Sequence, residues 1–212
     1  MTRPRQPRQP TVNLYCDFDG TLSPLPNRTP EQQQWQEVNH IPPKPIADCY
    51  TLDKRRPDLF DTRWSSELII NMRELVNRRF VRWHWLTSNG WTWTSMFDDI
   101  FGFDRNLTTT EELLTCHNGR VRPVAGGKPG IIRRALHMTA RSPQPRGIAW
   151  LDDDYWPGQP EVDEIAELAQ MLGLSVLLIT PDATVGVTRS QMCYLIEFIL
   201  TNNRPTGLTA IN

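Results

Sequence analysis

The stretch YCDFDGTLS, Tyr15 to Ser23, places two aspartates one residue apart at the end of an apolar run. The residues TVNLYC at 11–16 are typical of a short buried strand, and that strand should stop at Asp17. The Asp-Gly-Thr sequence that follows favours a turn. Two interpretations of Asp17 and Asp19 are therefore open: they only close the strand, or they handle charge in a binding or catalytic site.

Three further apolar runs predict buried strands that end in polar residues. They are FVRWHWLTS at 80–88, with Thr87, Ser88 and Asn89 at its end; GIAWLDDD at 147–154, with Asp152 and Asp153 at its end; and LSVLLIT at 174–180. Helical spacing of apolar residues separates these strands. It predicts a helix with Ser65 as N-cap and helices at 92–103, 128–138, 165–172 and 192–199.

Continuously apolar strands that alternate with amphipathic helices indicate a parallel sheet covered on both faces. The predicted fold is a Rossmann-like three-layer α/β sandwich, formed as a single domain by residues 11–212. Residues 1–10, MTRPRQPRQP, predict a flexible basic tail rich in proline. Residues 22–62 predict an insertion of loops and a hairpin, with a candidate strand at 46–52, and residues 106–124 predict a short strand and a hairpin-like loop.

Composition excludes several classes of protein. The net charge of −1 argues against a dedicated nucleic-acid binder and against a membrane-surface protein. No apolar run approaches the roughly 20 residues that span a bilayer, and the N-terminus has no apolar segment typical of a signal peptide. The four cysteines show neither zinc spacing nor a disulfide pattern, so a reducing cytoplasmic setting is expected.

The polar residues at the strand ends should converge on one edge of the sheet, because ligands of open parallel α/β sheets bind beyond the carboxyl ends of the strands. Lys128, one of only three lysines among the 23 cationic residues, opens a predicted helix that leads to the same edge. Four carboxylates at one edge repel each other unless a cation joins them. Oxygen ligands without histidine or cysteine favour Mg²⁺, and neighbouring hydroxyls, turn amides and a lysine are suited to a phosphate group.

These motifs resemble the four signatures of the haloacid dehalogenase (HAD) superfamily, whose common activity is magnesium-dependent phosphate-ester hydrolysis. DFDGT after a strand is similar to the first signature, WLTSNG to the second, Lys128 to the lysine of the third, and WLDDD to the fourth. The signatures occur in the same order and span residues 17–153. More loosely, HWLTS, AWLDDD and LLITPDATVGVT look like small HAD-like proteins of actinobacteria and their phages.

The resemblance implies a role for each motif residue. Asp17 would be the nucleophile that forms an aspartyl-phosphate, Asp19 the general acid and base, and Lys128 the cation that offsets their charge. Mg²⁺ would be held by the Asp17 carboxylate, the Asp19 backbone carbonyl, Asp152 and Asp153. The phosphate would be bound by Thr87, Ser88, Asn89 and the turn residues Gly20 and Thr21. The motif aligns with either Thr87 or Ser88 as the main phosphate ligand, and Thr87 is preferred.

The resemblance further implies that residues 22–62 form a minimal cap, which would leave the site open. The leading hypothesis is a phosphomonoester hydrolase that acts on a phosphorylated small molecule, with a nucleotide as a candidate. The alternatives are a phosphatase of nucleic-acid 3′ or 5′ ends and a non-catalytic binding or assembly protein. Trp91, Trp93 and Trp156 are candidates to stack on a flat substrate, although packing is the favoured interpretation of the tryptophans as a group. The oligomeric state stays open.

Overall fold

A computed structural model describes residues 10–59, 61–87, 90–117, 120–143, 145–201 and 205–212, with side chains omitted at 90–91 and 114–122. The predicted tail lies outside this part of the chain, apart from Pro10. The elements in chain order are β1 (Val12–Cys16), α1 (Pro30–Val38), β2 (Lys54–Arg56), β3 (Thr62–Trp64), α2 (Ser66–Asn77), β4 (Val81–Trp85), α3 (Gly90–Phe101), β5 (Thr108–Thr110), β6 (Leu114–His117), β7 (Arg120–Pro123), α4 (Gly127–Ala140), β8 (Gly147–Leu151), α5 (Pro160–Leu172), β9 (Ser175–Ile179), α6 (Arg189–Leu200) and β10 (Gly207–Ile211).

Six of these strands form one parallel sheet in the order β10-β9-β8-β1-β4-β5. Numbered along the chain within the sheet, the order reads 6-5-4-1-2-3, which is the doubly wound order of Rossmann-type folds. The chain runs outward from β1 to β4 and β5, and then returns to the other side of β1 to place β8, β9 and β10. The strand order therefore reverses between β1 and β8.

Two apolar clusters, one on each face of the sheet, form the core. On one face α2, α3 and α6 pack on β1 and β4 through residues such as Met72, Phe97 and Leu195. On the other face α4 and α5 pack on β8 and β9 through residues such as Leu136 and Ile165. Every residue of β8 and β9 is buried, as expected for strands covered on both sides. The structure confirms the predicted Rossmann-like three-layer sandwich.

Local sequence signals position several elements as predicted. The Ser65 hydroxyl accepts a hydrogen bond from the backbone N–H of Leu68 and so caps α2, and Pro129 lies in the first turn of α4. The predicted short strand and hairpin within 106–124 are β5 and the β6–β7 pair. Strand β10 was not predicted from the sequence; it extends the sheet beside β9.

The segment 22–62 differs from its prediction. The candidate strand at 46–52 is wrong, because Ile46–Asp48 form a 3₁₀ turn whose Asp48 carboxylate accepts hydrogen bonds from the N–H and hydroxyl of Ser190 at the start of α6. The predicted hairpin is β2–β3, which extends beyond residue 62. Helix α1 was not predicted; a capping box of Thr29 and Gln32 starts it.

Among the residues that the structure describes, no helix combines the length and apolar character that crossing a membrane requires.

Candidate functional site

The two strands that flank the reversal of strand order, β1 and β8, are each followed directly by an aspartate. Cys16 of β1 is in register with Leu151 of β8, and the N–H of Asp17 donates to the carbonyl of Leu151 at 2.9 Å. Asp17 and Asp152 are therefore the first residues beyond two neighbouring parallel strands. In doubly wound sheets this position is the crevice where ligands bind.

The Lys128 ammonium lies between these two carboxylates. Its Nζ is 2.6 Å from Oδ2 of Asp17 and 2.9 Å from Oδ2 of Asp152. The first turn of α4 carries Lys128 to this point, after Gly126 adopts a left-handed conformation with φ of 76°. The other oxygen of Asp17, Oδ1, accepts the N–H of Phe18 at 2.7 Å. The Asp17 carboxylate is thus held at both of its oxygens.

A third carboxylate, that of Asp153, completes a buried cluster. One oxygen from each of Asp17, Asp152 and Asp153 lies within 4.8 Å of the other two, and their exposed fractions are only 7%, 0% and 4%. The Gln32 side-chain amide donates to Oδ2 of Asp153 at 2.8 Å, and the Thr21 hydroxyl donates to Oδ1 at 3.4 Å. Helix α1 of the segment 22–62 therefore reaches the cluster through Gln32.

The cluster shifts the pKa of each of its members. Burial raises the pKa of Asp152 to about 8, although Lys128 opposes this, and burial together with Asp154 raises the pKa of Asp153 to about 7. Burial also raises the pKa of Asp17 above its ordinary value. Burial lowers the pKa of Lys128, but Asp152 and Asp17 outweigh burial and hold it above its ordinary value. One ammonium therefore does not keep all three carboxyls ionised at neutral pH.

The donor set suits a hard divalent cation. Three carboxylates converge without histidine or cysteine, and such all-oxygen sets are typical of Mg²⁺ or Ca²⁺ rather than Zn²⁺. A divalent ion would add positive charge to a cluster in which a single ammonium faces three buried carboxylates. Asp17, Asp152 and Asp153 are the residues that would hold it.

The turn after β1 brings Gly20 against this cluster. Gly20 has a φ of 70°, and a Cβ atom built on it would lie 2.2 Å from Oδ2 of Asp153. Only glycine allows this approach of the turn to the carboxylate. The loop after β9 holds the same turn, because the N–H of Val187 donates to the Thr21 carbonyl at 2.9 Å and that of Leu25 donates to the Ala183 carbonyl at 2.7 Å.

Asp19 follows Asp17 by two positions but is not a member of the group of three carboxylates. Asp19 lines a neighbouring cleft of about 300 Å³, together with Phe18 and the half-buried Trp93. The turn therefore presents Asp17 to the cluster and Asp19 to the cleft.

The candidate phosphate ligands after β4 lie next to β1. The N–H of Leu86 donates to the carbonyl of Cys16 at 2.8 Å, and Thr87 is buried at the end of this strand. Thr87 thus lies at the same edge of the sheet as Asp17. Ser88 and Asn89 lie outside the described residues, so the alternative of Thr87 or Ser88 as main phosphate ligand stays open.

The predicted stacking tryptophans have different surroundings. Trp156 stacks on Trp35 of α1 with ring centroids 5.1 Å apart, and Trp93 borders the cleft beside Asp19. The side chain of Trp91 lies outside the described part of the chain. By contrast, the strand residues Trp83, Trp85 and Trp150 are fully buried.

Sequence analysis missed two residues of α1: Gln32, which donates a hydrogen bond to Asp153, and Trp35, which stacks on Trp156. A Thr-x-x-Gln capping pattern at Thr29–Gln32 was the available signal for α1.

Comparison of the chain with protein-family models, curated proteins and solved structures yields no match.

Proposed function

We propose that this protein is a magnesium-dependent phosphomonoester hydrolase that acts through an aspartyl-phosphate on Asp17. The observation that carries the proposal is the position of Lys128 between the carboxylates of Asp17 and Asp152, with Asp153 beside them, at the point where the strand order reverses. The ordered resemblance of the sequence motifs to those of the HAD superfamily supports the same chemistry. Phosphoryl transfer requires positioning and charge neutralisation, which such a cluster supplies.

In the first step an oxygen of Asp17 attacks phosphorus and the ester P–O bond breaks. The N–H of Phe18 and the ammonium of Lys128 fix the orientation of the attacking carboxylate. Asp19 donates a proton to the departing oxygen, consistent with its place in the cleft next to Asp17. In the second step water attacks phosphorus, Asp19 accepts its proton, and orthophosphate leaves Asp17.

Charge neutralisation is shared between the lysine and the metal. Lys128 offsets the charge of Asp17 and of the phosphoryl group, while Thr87 and the turn amides hold the phosphate oxygens. When bound, Mg²⁺ would supply Lewis-acid polarisation of the phosphoryl group and neutralise its charge. Asp17, Asp152, Asp153 and the Asp19 carbonyl are the proposed ligands.

A phosphatase screen tests the proposal. Purified protein is assayed for release of orthophosphate from mononucleotides, sugar phosphates, aryl phosphates and phosphorylated oligonucleotides, with Mg²⁺ or EDTA. We expect turnover that requires Mg²⁺ and falls at least 1,000-fold in Asp17→Asn, in line with the loss of an essential nucleophile. The control is Asp99→Asn, which changes a surface carboxylate paired with Arg105 and should retain full activity.

The outcomes separate the alternatives. Absence of Mg²⁺-dependent turnover on every substrate would favour a non-catalytic protein in which the Lys128 ion pairs only stabilise the fold. Turnover that survives Asp17→Asn would remove Asp17 from the role of nucleophile. A strong preference for oligonucleotides would favour the phosphatase of nucleic-acid ends.

A further inference from the structure

Helix α1 docks on the rest of the protein through a polar side chain. The structure describes all nine residues of the helix, and Gln32 is the one that is buried, with an exposed fraction of 4%. Val38, the last residue of the helix, is 69% exposed. Surface helices usually dock through a stripe of apolar residues, because tertiary packing of that stripe supplies most of their stability. The position of α1 depends instead on Gln32 and on the half-buried Trp35.

The side-chain amide of Gln32 has a fixed orientation. Its Oε1 accepts the backbone N–H of Thr29 at 2.9 Å, as one half of the capping box. The amide nitrogen cannot accept an N–H, so Nε2 is the end that faces the carboxylates. It lies 2.8 Å from Oδ2 of Asp153, 3.2 Å from the Asp153 carbonyl oxygen and 3.1 Å from Oδ1 of Asp154. Its two N–H groups are thus shared among three oxygen acceptors.

The contacts of α1 fall on the segment that directly follows β8. Gln32 binds residues 153 and 154, and Trp35 stacks on Trp156 with ring centroids 5.1 Å apart. The same segment supplies Asp153 to the carboxylate cluster. Helix α1 therefore rests on the part of the chain that positions a proposed metal ligand.

A second loop fixes the chain just before α1. Arg28 precedes the N-cap residue of the helix and forms an ion pair with Asp182, in the loop after β9. Nε of Arg28 donates to Oδ1 of Asp182 at 3.1 Å, and the Asp182 side chain is buried. The start of α1 is therefore supported independently of the contact between Gln32 and Asp153.

The Gln32 amide restricts the orientation of the Asp153 carboxylate. Gln32 binds the carboxylate and the backbone carbonyl of Asp153 at once, so rotation of the carboxylate away from the amide would break the shorter of the two bonds. Outer hydrogen-bond partners of this kind orient metal ligands, and their loss typically weakens metal binding about 10- to 100-fold. Gln32 occupies the position of such a partner for Asp153.

We infer that Gln32 is a positioning residue for the metal: it orients the Asp153 carboxylate for a divalent cation, and the cation in turn holds α1 in its docked position. The inference rests on the metal site of the proposed function. Coupling between two equilibria is reciprocal, so the factor by which Gln32 strengthens cation binding is also the factor by which the cation strengthens docking of α1. Helix α1 is therefore held more firmly in the metal-loaded protein than in the metal-free protein.

Calorimetric titration of Mg²⁺ into the metal-free protein tests the first part of this inference. Gln32→Leu should raise the dissociation constant of Mg²⁺ at least tenfold, through loss of the amide donor. The control is Gln33→Leu, at an exposed position of the same helix, which should stay within about twofold of wild type. Equal dissociation constants in Gln32→Leu and wild type would overturn the inference and leave the proposed metal site intact. Failure of the wild-type protein to bind Mg²⁺ would overturn the metal site, and the inference with it.

A change in the helix cap separates orientation of Asp153 from the mere formation of α1. Thr29→Ala removes the hydroxyl that accepts the N–H of Gln32, but it keeps the Gln32 amide and the Thr29 backbone N–H that the amide accepts. Its Mg²⁺ dissociation constant should stay within about threefold of wild type, although the cap is weakened. If Thr29→Ala weakens Mg²⁺ binding as much as Gln32→Leu, loss of helical order explains both results and Gln32 is not a positioning residue.

Hydrogen exchange of the α1 amides tests the second part. In the wild-type protein, saturating Mg²⁺ should slow exchange of the amides at 34–38 about tenfold, because the cation disfavours local undocking of the helix. In Gln32→Leu, Mg²⁺ should leave these exchange rates unchanged. Exchange that Mg²⁺ slows equally in both proteins, or in neither, would contradict the coupling between the cation and α1.

Discussion

Replacement of Gly20 by alanine tests how closely the β1 turn approaches the carboxylate cluster. Gly20 has a φ of 70°, and the added Cβ would lie 2.2 Å from Oδ2, 2.3 Å from Cγ and 2.5 Å from Oδ1 of Asp153. Since ordinary contacts of this kind need about 3.5 Å, the carboxylate must move by roughly 1 Å. That movement breaks its hydrogen bond with Gln32, which is 2.8 Å long.

The expected cost has two parts. A left-handed backbone costs a residue with a Cβ about 1–2 kcal/mol. Loss of a hydrogen bond to a charged group costs about 1.5–3 kcal/mol more. Gly20→Ala should therefore lower the free energy of unfolding by about 2.5–5 kcal/mol, measured by urea denaturation at pH 8 in EDTA.

Gly173 is a matched control, since its φ is 66° and, apart from its chain neighbours and the adjoining helix backbone, no described residue has an atom within 4 Å of a Cβ built there. Gly173→Ala should therefore lose only the backbone part, about 1–2 kcal/mol. It should also keep any stabilisation by Mg²⁺, which Gly20→Ala should lose. Equal destabilisation of the two variants, to within about 0.5 kcal/mol, would refute the reasoning.

Three further predictions concern the cluster. In EDTA, the free energy of unfolding should fall as pH rises from about 4 to 7, because the folded protein keeps the Asp153 proton, with its pKa raised to about 7, while the unfolded chain releases it. At about 1.4 kcal/mol per tenfold change in proton affinity, the fall is at most about 4 kcal/mol. Unfolding curves of Asp153→Asn should show a shallower dependence on pH. If the two slopes agree, the raised pKa is wrong. Lys128→Met should lower the free energy of unfolding by about 3–5 kcal/mol in denaturant titrations at pH 8, because it leaves Asp17 and Asp152 buried without their cation. A similar decrease in Lys54→Met, the control at an exposed lysine, would exclude this explanation. Gln32→Leu should lower the free energy of unfolding by about 1–3 kcal/mol in thermal unfolding, because it leaves an oxygen of Asp153 without its hydrogen bond. The control is Gln33→Leu at the exposed neighbouring residue, and equal stability of the two variants would show that the Gln32 amide does not stabilise the fold.

The sheet could be predicted because its signals are local. Apolar runs such as GIAWL and SVLLI are typical of strands buried on both faces, and Ser65 marks the start of α2. Asp17, Asp152 and Lys128 were grouped from chain order alone, since the carboxyl ends of parallel strands share one edge of the sheet. The structure brings these three residues into contact.

The segment 22–62 was harder to predict because long-range contacts determine its structure. Its 3₁₀ turn at Ile46–Asp48 is held against the first turn of α6 by hydrogen bonds from Ser190 to Asp48, which lies 142 positions away in the chain. Gln32 meets Asp153 across 121 positions. Strand β10 was missed for a similar reason, since GLTAI is only partly buried and its identity depends on pairing with β9.

Chemical trapping of the phosphorylated protein is the most direct test of the central claim. The protein is mixed with Mg²⁺ and a radiolabelled substrate found in the screen, quenched in acid within milliseconds, and digested for mass spectrometry. The account predicts a phosphoryl group on Asp17 that forms at least as fast as turnover and is absent from Asp17→Asn. Label on another residue, or turnover without a labelled protein at any quench time, would contradict it.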